Sequence, residues 1–248
     1  MSHAAVATVS PGAYWTFVAL AAGGCVWLCL AARRRSHRWQ LRVARSIGVV
    51  LLADAVVYSI GLAVAGTWSF SSSLPLALCN AAVLVAAAAC WWQVPILVEL
   101  TYFLGLAGTL QAIVTPDLSV GFPHLMFFEY LVGHVGIVAA ALFLVVGMRI
   151  EPRRWAVVRV FVITACYTAF VGLVDGTTGA NYMFLRQPPS EWTLLRLLGP
   201  WPWYTVSAAG VAVVLLLALN APFWWRRRHA AASVPTGSLR QDDLADPR

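Results

Sequence analysis

Seven apolar stretches divide the 248 residues of this chain. About 20 apolar residues span a bilayer core, and in lipid every backbone N–H and C=O must be satisfied within the protein. The stretches at 13–32, 46–68, 74–92, 96–114, 124–148, 155–174 and 203–222 therefore predict an all-α fold, a polytopic seven-transmembrane-helix bundle. Composition agrees. Sixty per cent of the residues are hydrophobic and 11% are charged, whereas a soluble domain carries roughly a quarter charged residues. The organisation expected is a short external N-terminus at 1–12, a membrane domain at 13–225 and a disordered cytoplasmic tail at 226–248.

Charge then orients the bundle. All 17 basic residues are Arg. Arg33, Arg34, Arg35, Arg38, Arg42 and Arg45 follow the first stretch. Arg149, Arg153 and Arg154 lie between the fifth and sixth, and Arg226, Arg227 and Arg228 follow the seventh. The alternate loops hold only Arg186 and Arg196. Positively charged loops stay in the cytoplasm, so the N-terminus is expected outside and the C-terminus inside. The net charge of +7 needs only phospholipid headgroups as its partner, not nucleic acid. The residues before the first stretch carry no Lys or Arg and the charge follows it, opposite to a secretory signal, so it reads as a helix. All-Arg usage with abundant Ala and Val points to a high-GC bacterium and its cytoplasmic membrane.

Cys25, Cys29, Cys79, Cys90 and Cys166 all fall in apolar stretches. An odd number of thiols in lipid-embedded helices argues against a disulfide framework, and no zinc-ligand spacing appears. Neither a metal nor a cofactor is expected. No HExxH, P-loop or GxGxxG motif is present.

Ionisable groups inside a span cost several kcal/mol and need a partner or a use. They separate into two layers. Asp54, Glu99 and Arg159 lie near the arginine-rich ends of their helices and are expected to form a structural ionic cluster. Cys79 and His134 lie in the opposite half, roughly 7 and 15 Å below their helix starts at 1.5 Å per residue. Tyr130 shares the His134 face one turn away, whereas Glu129 points toward another helix. Asn80, Gln111 and Asp117 share this outer layer, and Asn181 and Tyr182 lie in the long loop 175–202 that covers it. A thiol becomes a nucleophile when a neighbouring imidazole takes its proton. The rival expectation is an inert cysteine in a non-enzymatic transporter or scaffold.

Several runs carry a resemblance: 74–80 (LPLALCN), 102–111 (YFLGLAGTLQ), 115–119 (TPDLS), 121–124 (GFPH), Tyr130 with His134, 179–185 (GANYMFL) and 198–204 (LGPWPWY). Together they resemble the YwaF-type bacterial integral membrane proteins, a group related to vertebrate transmembrane protein 164. The resemblance covers about 74–204. It implies a cysteine-dependent phospholipid acyltransferase whose membrane Cys and His fall on Cys79 and His134. Ala77 stands where bacterial members often carry a His. On this expectation Asn80, Gln111, Asp117, Tyr130, Asn181 and Tyr182 bind substrate or stabilise the oxyanion, and membrane phospholipids are the partners.

Overall fold

The computed structural model describes residues 11–116, 121–188 and 197–232, and the described residues contain only helices and their connections. In chain order these are α1 (Pro11–Ala32), α2 (His37–Val64), α3 (Leu78–Trp92), α4 (Pro95–Leu104), a π-helical turn (Gly105–Thr109) running into α5 (Leu110–Val114), α6 (Leu125–Leu142) ending in a second π turn (Phe143–Gly147), α7 (Ala156–Thr178), a 3-10 turn (Tyr182–Phe184) and α8 (Trp203–Ala232). Among the described residues six helices are long and apolar enough to cross a membrane: Gly12–Ala32, His37–Val64, Pro95–Val114, Leu125–Gly147, Ala156–Thr178 and Trp203–Ala230. The expected third span is shorter. Leu78–Trp92 has 15 residues, about 22 Å of helix.

That short helix is the centre of the molecule. Its faces pack on α2, α4 and α6, and Ala82, Ala86, Ala87, Ala89 and Cys90 are buried along it. Small side chains let neighbouring backbones approach, which is how helices associate when lipid is as apolar as leucine. Gly48 of α2 marks the closest approach. A Cβ there would stand 3.0 Å from Ala87 O and 3.2 Å from Cys90 Cβ. Gly48→Val is therefore expected to wedge α2 from α3 and cost about 1–3 kcal/mol, read as a lower melting temperature in detergent. An unchanged melt would mean that the two helices are free to separate. By contrast α7 and α8 flank the bundle, and Leu173, Val206, Val214 and Leu217 are turned outward, as lipid-facing side chains should be.

Helix ends differ from expectation where tertiary contacts or long side chains decide them. The second helix begins at His37, nine residues before the apolar stretch, because Arg38, Arg42 and Arg45 stay helical while reaching outward. The Arg45 guanidinium lies 5.4 Å from the Trp91 ring centroid, and Gln40 Nε2 donates to Ala32 O at 2.8 Å, closing the α1–α2 turn. The boundary of the expected tail also moves. Residues 226–232 continue α8, with Arg226 paired to Glu151 at 2.8 Å and Arg227 Nη1 donating to Pro152 O at 2.8 Å. Residues 1–10 and 233–248 lie outside the described residues.

These contacts gather the C-terminal ends of α1, α3, α6 and α8 and the N-terminal ends of α2, α4 and α7 at one arginine-rich end. The other end is closed by a cap. Tyr182 Oη donates to Phe70 O at 2.7 Å and accepts from Leu74 N at 3.0 Å. Tyr167 Oη donates to Leu76 O at 3.0 Å. Held in this way, residues 74–77 are extended or turned, and α3 starts at Leu78 instead of at 74.

Candidate functional site

The late start of α3 changes the position of Cys79. Ala77 is the N-cap residue, with extended backbone and no side-chain cap. Cys79 is the second residue of the helix, not the sixth as a start at 74 would make it. The first N–H groups of a helix have no intrahelical acceptor and carry partial positive charge, so the Cys79 backbone lies among donors that the helix itself does not use. The Cys79 side chain lies beside the Thr109 hydroxyl. Thr109 ends the π turn of the α4–α5 helix and is 1% exposed. A π turn inserts an extra residue per turn and is frequent at functional sites. Here it aims a buried hydroxyl at α3. Sequence reading passed over Thr109; its one signal is a lone hydroxyl in the small-residue run GLAGT.

His134 comes from α6, which packs on both α3 and the π turn. Its Nδ1 lies 2.8 Å from Tyr130 O. A carbonyl only accepts, so this bond assigns the proton to Nδ1 and leaves Nε2 as the basic nitrogen. Tyr130 stacks on the imidazole, with ring centroids 4.0 Å apart and 23° between the planes, and its hydroxyl donates to Ala112 O at 2.8 Å. Tyr130 thus orients His134, and it anchors to the helix that also supplies Thr109. Cys79 and His134 are on adjoining helices, but no hydrogen bond joins them among the described residues. The expected hydrogen-bonded dyad is therefore not formed in this conformation. Val83 packs against Gly133. Cys79 is four residues before Val83 on a helix parallel to α6, and His134 is one residue after Gly133, so His134 lies about 7 Å nearer the arginine-rich end.

The remaining expected site residues divide. Asn80 turns away from the thiol and lines a cleft of about 300 Å³ between α2, α3 and α6, together with Asp54, Tyr58, Ser73 and Glu129. Gln111 is exposed and donates from Nε2 to Ala107 O of its own helix at 2.9 Å; it faces a groove shared with Leu215 of α8, not Cys79. Asn181 and Tyr182 are occupied in the cap. Asn181 Oδ1 accepts from Arg186 N at 3.0 Å and Gln187 N at 3.2 Å, and Asp175 Oδ1 accepts from Tyr182 N at 3.0 Å. Asp117 lies outside the described residues.

The expected ionic cluster is corrected in one member. Glu99, 1% exposed, accepts from Arg159 Nη2 at 2.8 Å and Arg159 Nε at 3.0 Å. Its second partner is Arg153, through Nε at 2.9 Å and backbone N at 3.0 Å. Hydrogen bonding to Glu99 raises the Arg153 guanidinium above its ordinary range. Asp54 does not take part. Because α2 starts at His37, Asp54 stands 17 residues along it, about 25 Å from the arginine-rich end. It faces Glu129 across the polar cleft, and its Oδ2 is where a Cβ on Gly133 would come within 2.9 Å.

A helical bundle with this many apolar spans, a polar cleft and a buried ion-pair clasp defines a multi-pass membrane protein. The chain belongs to the TMEM164 family, whose model matches residues 3–220. The match agrees with the YwaF-type resemblance and extends it beyond 74–204 to include α1. No match was found among curated proteins, and none among solved structures.

Proposed function

We propose that the protein is a phospholipid acyltransferase in which Cys79 is the nucleophile and His134 the general base. The observation that carries this reading is the placement of the Cys79 thiol on the uncapped first turn of α3, next to the Thr109 hydroxyl and beside a helix whose histidine has its Nδ1 engaged. In the proposed reaction Cys79 Sγ attacks the carbonyl carbon of a phospholipid ester, and its proton passes to His134 Nε2. That proton crosses the axial offset of about 7 Å by an imidazole movement or through the Thr109 hydroxyl. The oxyanion is stabilised by the free N–H groups of the first α3 turn. Collapse breaks the ester C–O bond, His134 protonates the departing lysophospholipid alkoxide, and the acyl group stays on sulfur as a thioester. An acceptor hydroxyl then gives its proton to His134 and attacks the thioester carbonyl, the C–S bond breaks, and the Cys79 thiolate recovers the proton from His134; water as acceptor makes the reaction a hydrolysis. With the arginine-rich end in the cytoplasm and α3 as a seventh span, Cys79 sits in the outer half of the membrane, near the depth of acyl esters. The test is acyl exchange between labelled phosphatidylcholine and a lysophospholipid by purified protein. Turnover that Cys79→Ser leaves intact would sink the assignment.

A second reading rests on a different observation. Asp54 and Glu129 share a membrane-embedded cleft, and paired carboxylates at that depth are the mark of proton-coupled transport. On that reading Asp54→Asn is expected to abolish proton-driven solute uptake in proteoliposomes and leave acyl exchange undetectable in both proteins. Acyl exchange that survives Asp54→Asn favours the transferase.

A further inference from the structure

At the arginine-rich end, well away from Cys79, a cleft of about 610 Å³ opens between the first turn of α7 and the last turns of α8. Arg154, Arg227 and Arg228 line it, with Trp155 and Trp224 at its sides and Val157, Val158 and Leu217 as its apolar wall. Among the described residues no carboxylate lines it. The neighbouring acidic groups are already engaged: Glu151 pairs with Arg226 and Glu99 with Arg153 and Arg159. The cleft therefore concentrates positive charge that the described residues do not neutralise.

Three features show that the charge is held in place. The Arg228 guanidinium carbon lies 3.7 Å from the Trp224 ring centroid, a cation–π contact that fixes its plane. Arg227 is braced by its bond to Pro152 O. Trp155 has φ 65° and ψ 16°, a left-handed backbone that costs a bulky residue roughly 1–3 kcal/mol and is retained where the surroundings over-determine it. Asn220 Oδ1 is a buried side-chain oxygen with no hydrogen-bond donor, and Asn220 lines this same cleft.

We propose that this cleft binds the phosphate diester of an anionic glycerophospholipid. Guanidinium groups match phosphate oxygens in plane and spacing, and the N-terminal turn of α7 adds to the attraction. The apolar wall receives the glycerol and upper acyl carbons. Basic pockets between membrane helices at the arginine-rich side are a known means of holding such headgroups. The proposal does not depend on the chemistry at Cys79.

The experiment is isothermal titration of the purified full-length chain in maltoside micelles with dioctanoyl phosphatidylglycerol, dioctanoyl phosphatidylcholine, sn-glycerol 3-phosphate and inorganic phosphate. Phosphatidylglycerol is expected to bind at least about tenfold tighter than phosphatidylcholine. Arg228→Gln should weaken it about tenfold and the Arg154→Gln, Arg228→Gln pair further, the scale of lost charge-assisted bonds. Arg42→Gln, on α2 and outside the cleft, should leave binding unchanged. Equal affinity for the two lipids, or wild-type affinity in the doubly substituted protein, overturns the proposal. Glycerol 3-phosphate or phosphate binding as tightly as the lipid overturns the lipid source and assigns the cleft to a soluble phosphate ester. If the paired substitution prevents folding, Arg228→Lys decides: it keeps the charge but loses the planar donor pair, and should still weaken binding severalfold; no weakening overturns the proposal.

Discussion

Cys79→Ala is expected to reduce acyl exchange to background, and His134→Ala to reduce it by about 10²–10⁴-fold, the usual contribution of a general base. The two losses have different origins. Without Sγ no thioester can form, so a chase with hydroxylamine should release labelled acyl groups from the wild-type protein and none from Cys79→Ala. Without His134 the thiol keeps its Thr109 contact and its place on the first turn of α3, but its proton has no acceptor. The His134→Ala protein should therefore still acquire label, slowly, and pass it on slowly. Cys79→Ala leaves the fold untouched because the residue is only partly buried, so melting temperatures should stay close to wild type. Full exchange in both variants removes the dyad. Exchange that depends on Cys79 alone keeps the nucleophile and transfers the base role away from His134.

The largest effect on stability is expected from Glu99→Gln. Glu99 is almost fully buried and receives hydrogen bonds from two guanidinium groups and a backbone N–H. A neutral amide leaves two arginines at the α4–α7 junction without a counter-charge. Removing one partner of a buried ion pair costs about 3–5 kcal/mol, since the remaining charge stays desolvated. The expected result is a large drop in melting temperature and in the yield of folded protein from detergent. Arg153 and Arg159 are partly exposed, so water recovers much of that cost and the loss falls below the range for a fully buried pair. Replacing Arg159 by Met in the Glu99→Gln background should restore part of the loss, because it removes one of the orphaned cations. A melt of Glu99→Gln within about 0.5 kcal/mol of wild type, the scale of an ordinary surface change, would show that the clasp does not hold the helices.

Helix type and approximate extent were legible because both follow from local hydropathy, which acts on each segment separately. The Glu99–Arg159 pairing was legible for a related reason: two opposite charges at similar depth in a bundle must find each other or stay unpaired. Arg153 was not, since in sequence it is one more arginine in a charged connection. Asp54 was misplaced because depth was measured from the edge of the apolar stretch, whereas the helix begins nine residues earlier in an arginine-bearing turn. Asn181 and Tyr182 looked available for a ligand. Their polar atoms are engaged in folding the cap, as buried polar atoms generally are.

Apolar spans and arginine asymmetry were sufficient to define a multi-helix membrane protein and a half of the bundle for Cys79 and His134. Tertiary structure alone set the rest: α3 starts at Leu78 because Tyr182 and Tyr167 hold residues 74–76 out of the helix, a π turn brings Thr109 to the thiol, and Asp54 meets Glu129 instead of Glu99. The physical reason is the same in each case. Hydropathy is a property of a segment, but hydrogen bonds and charge pairs belong to residues far apart in the chain, and only packing decides which of them meet.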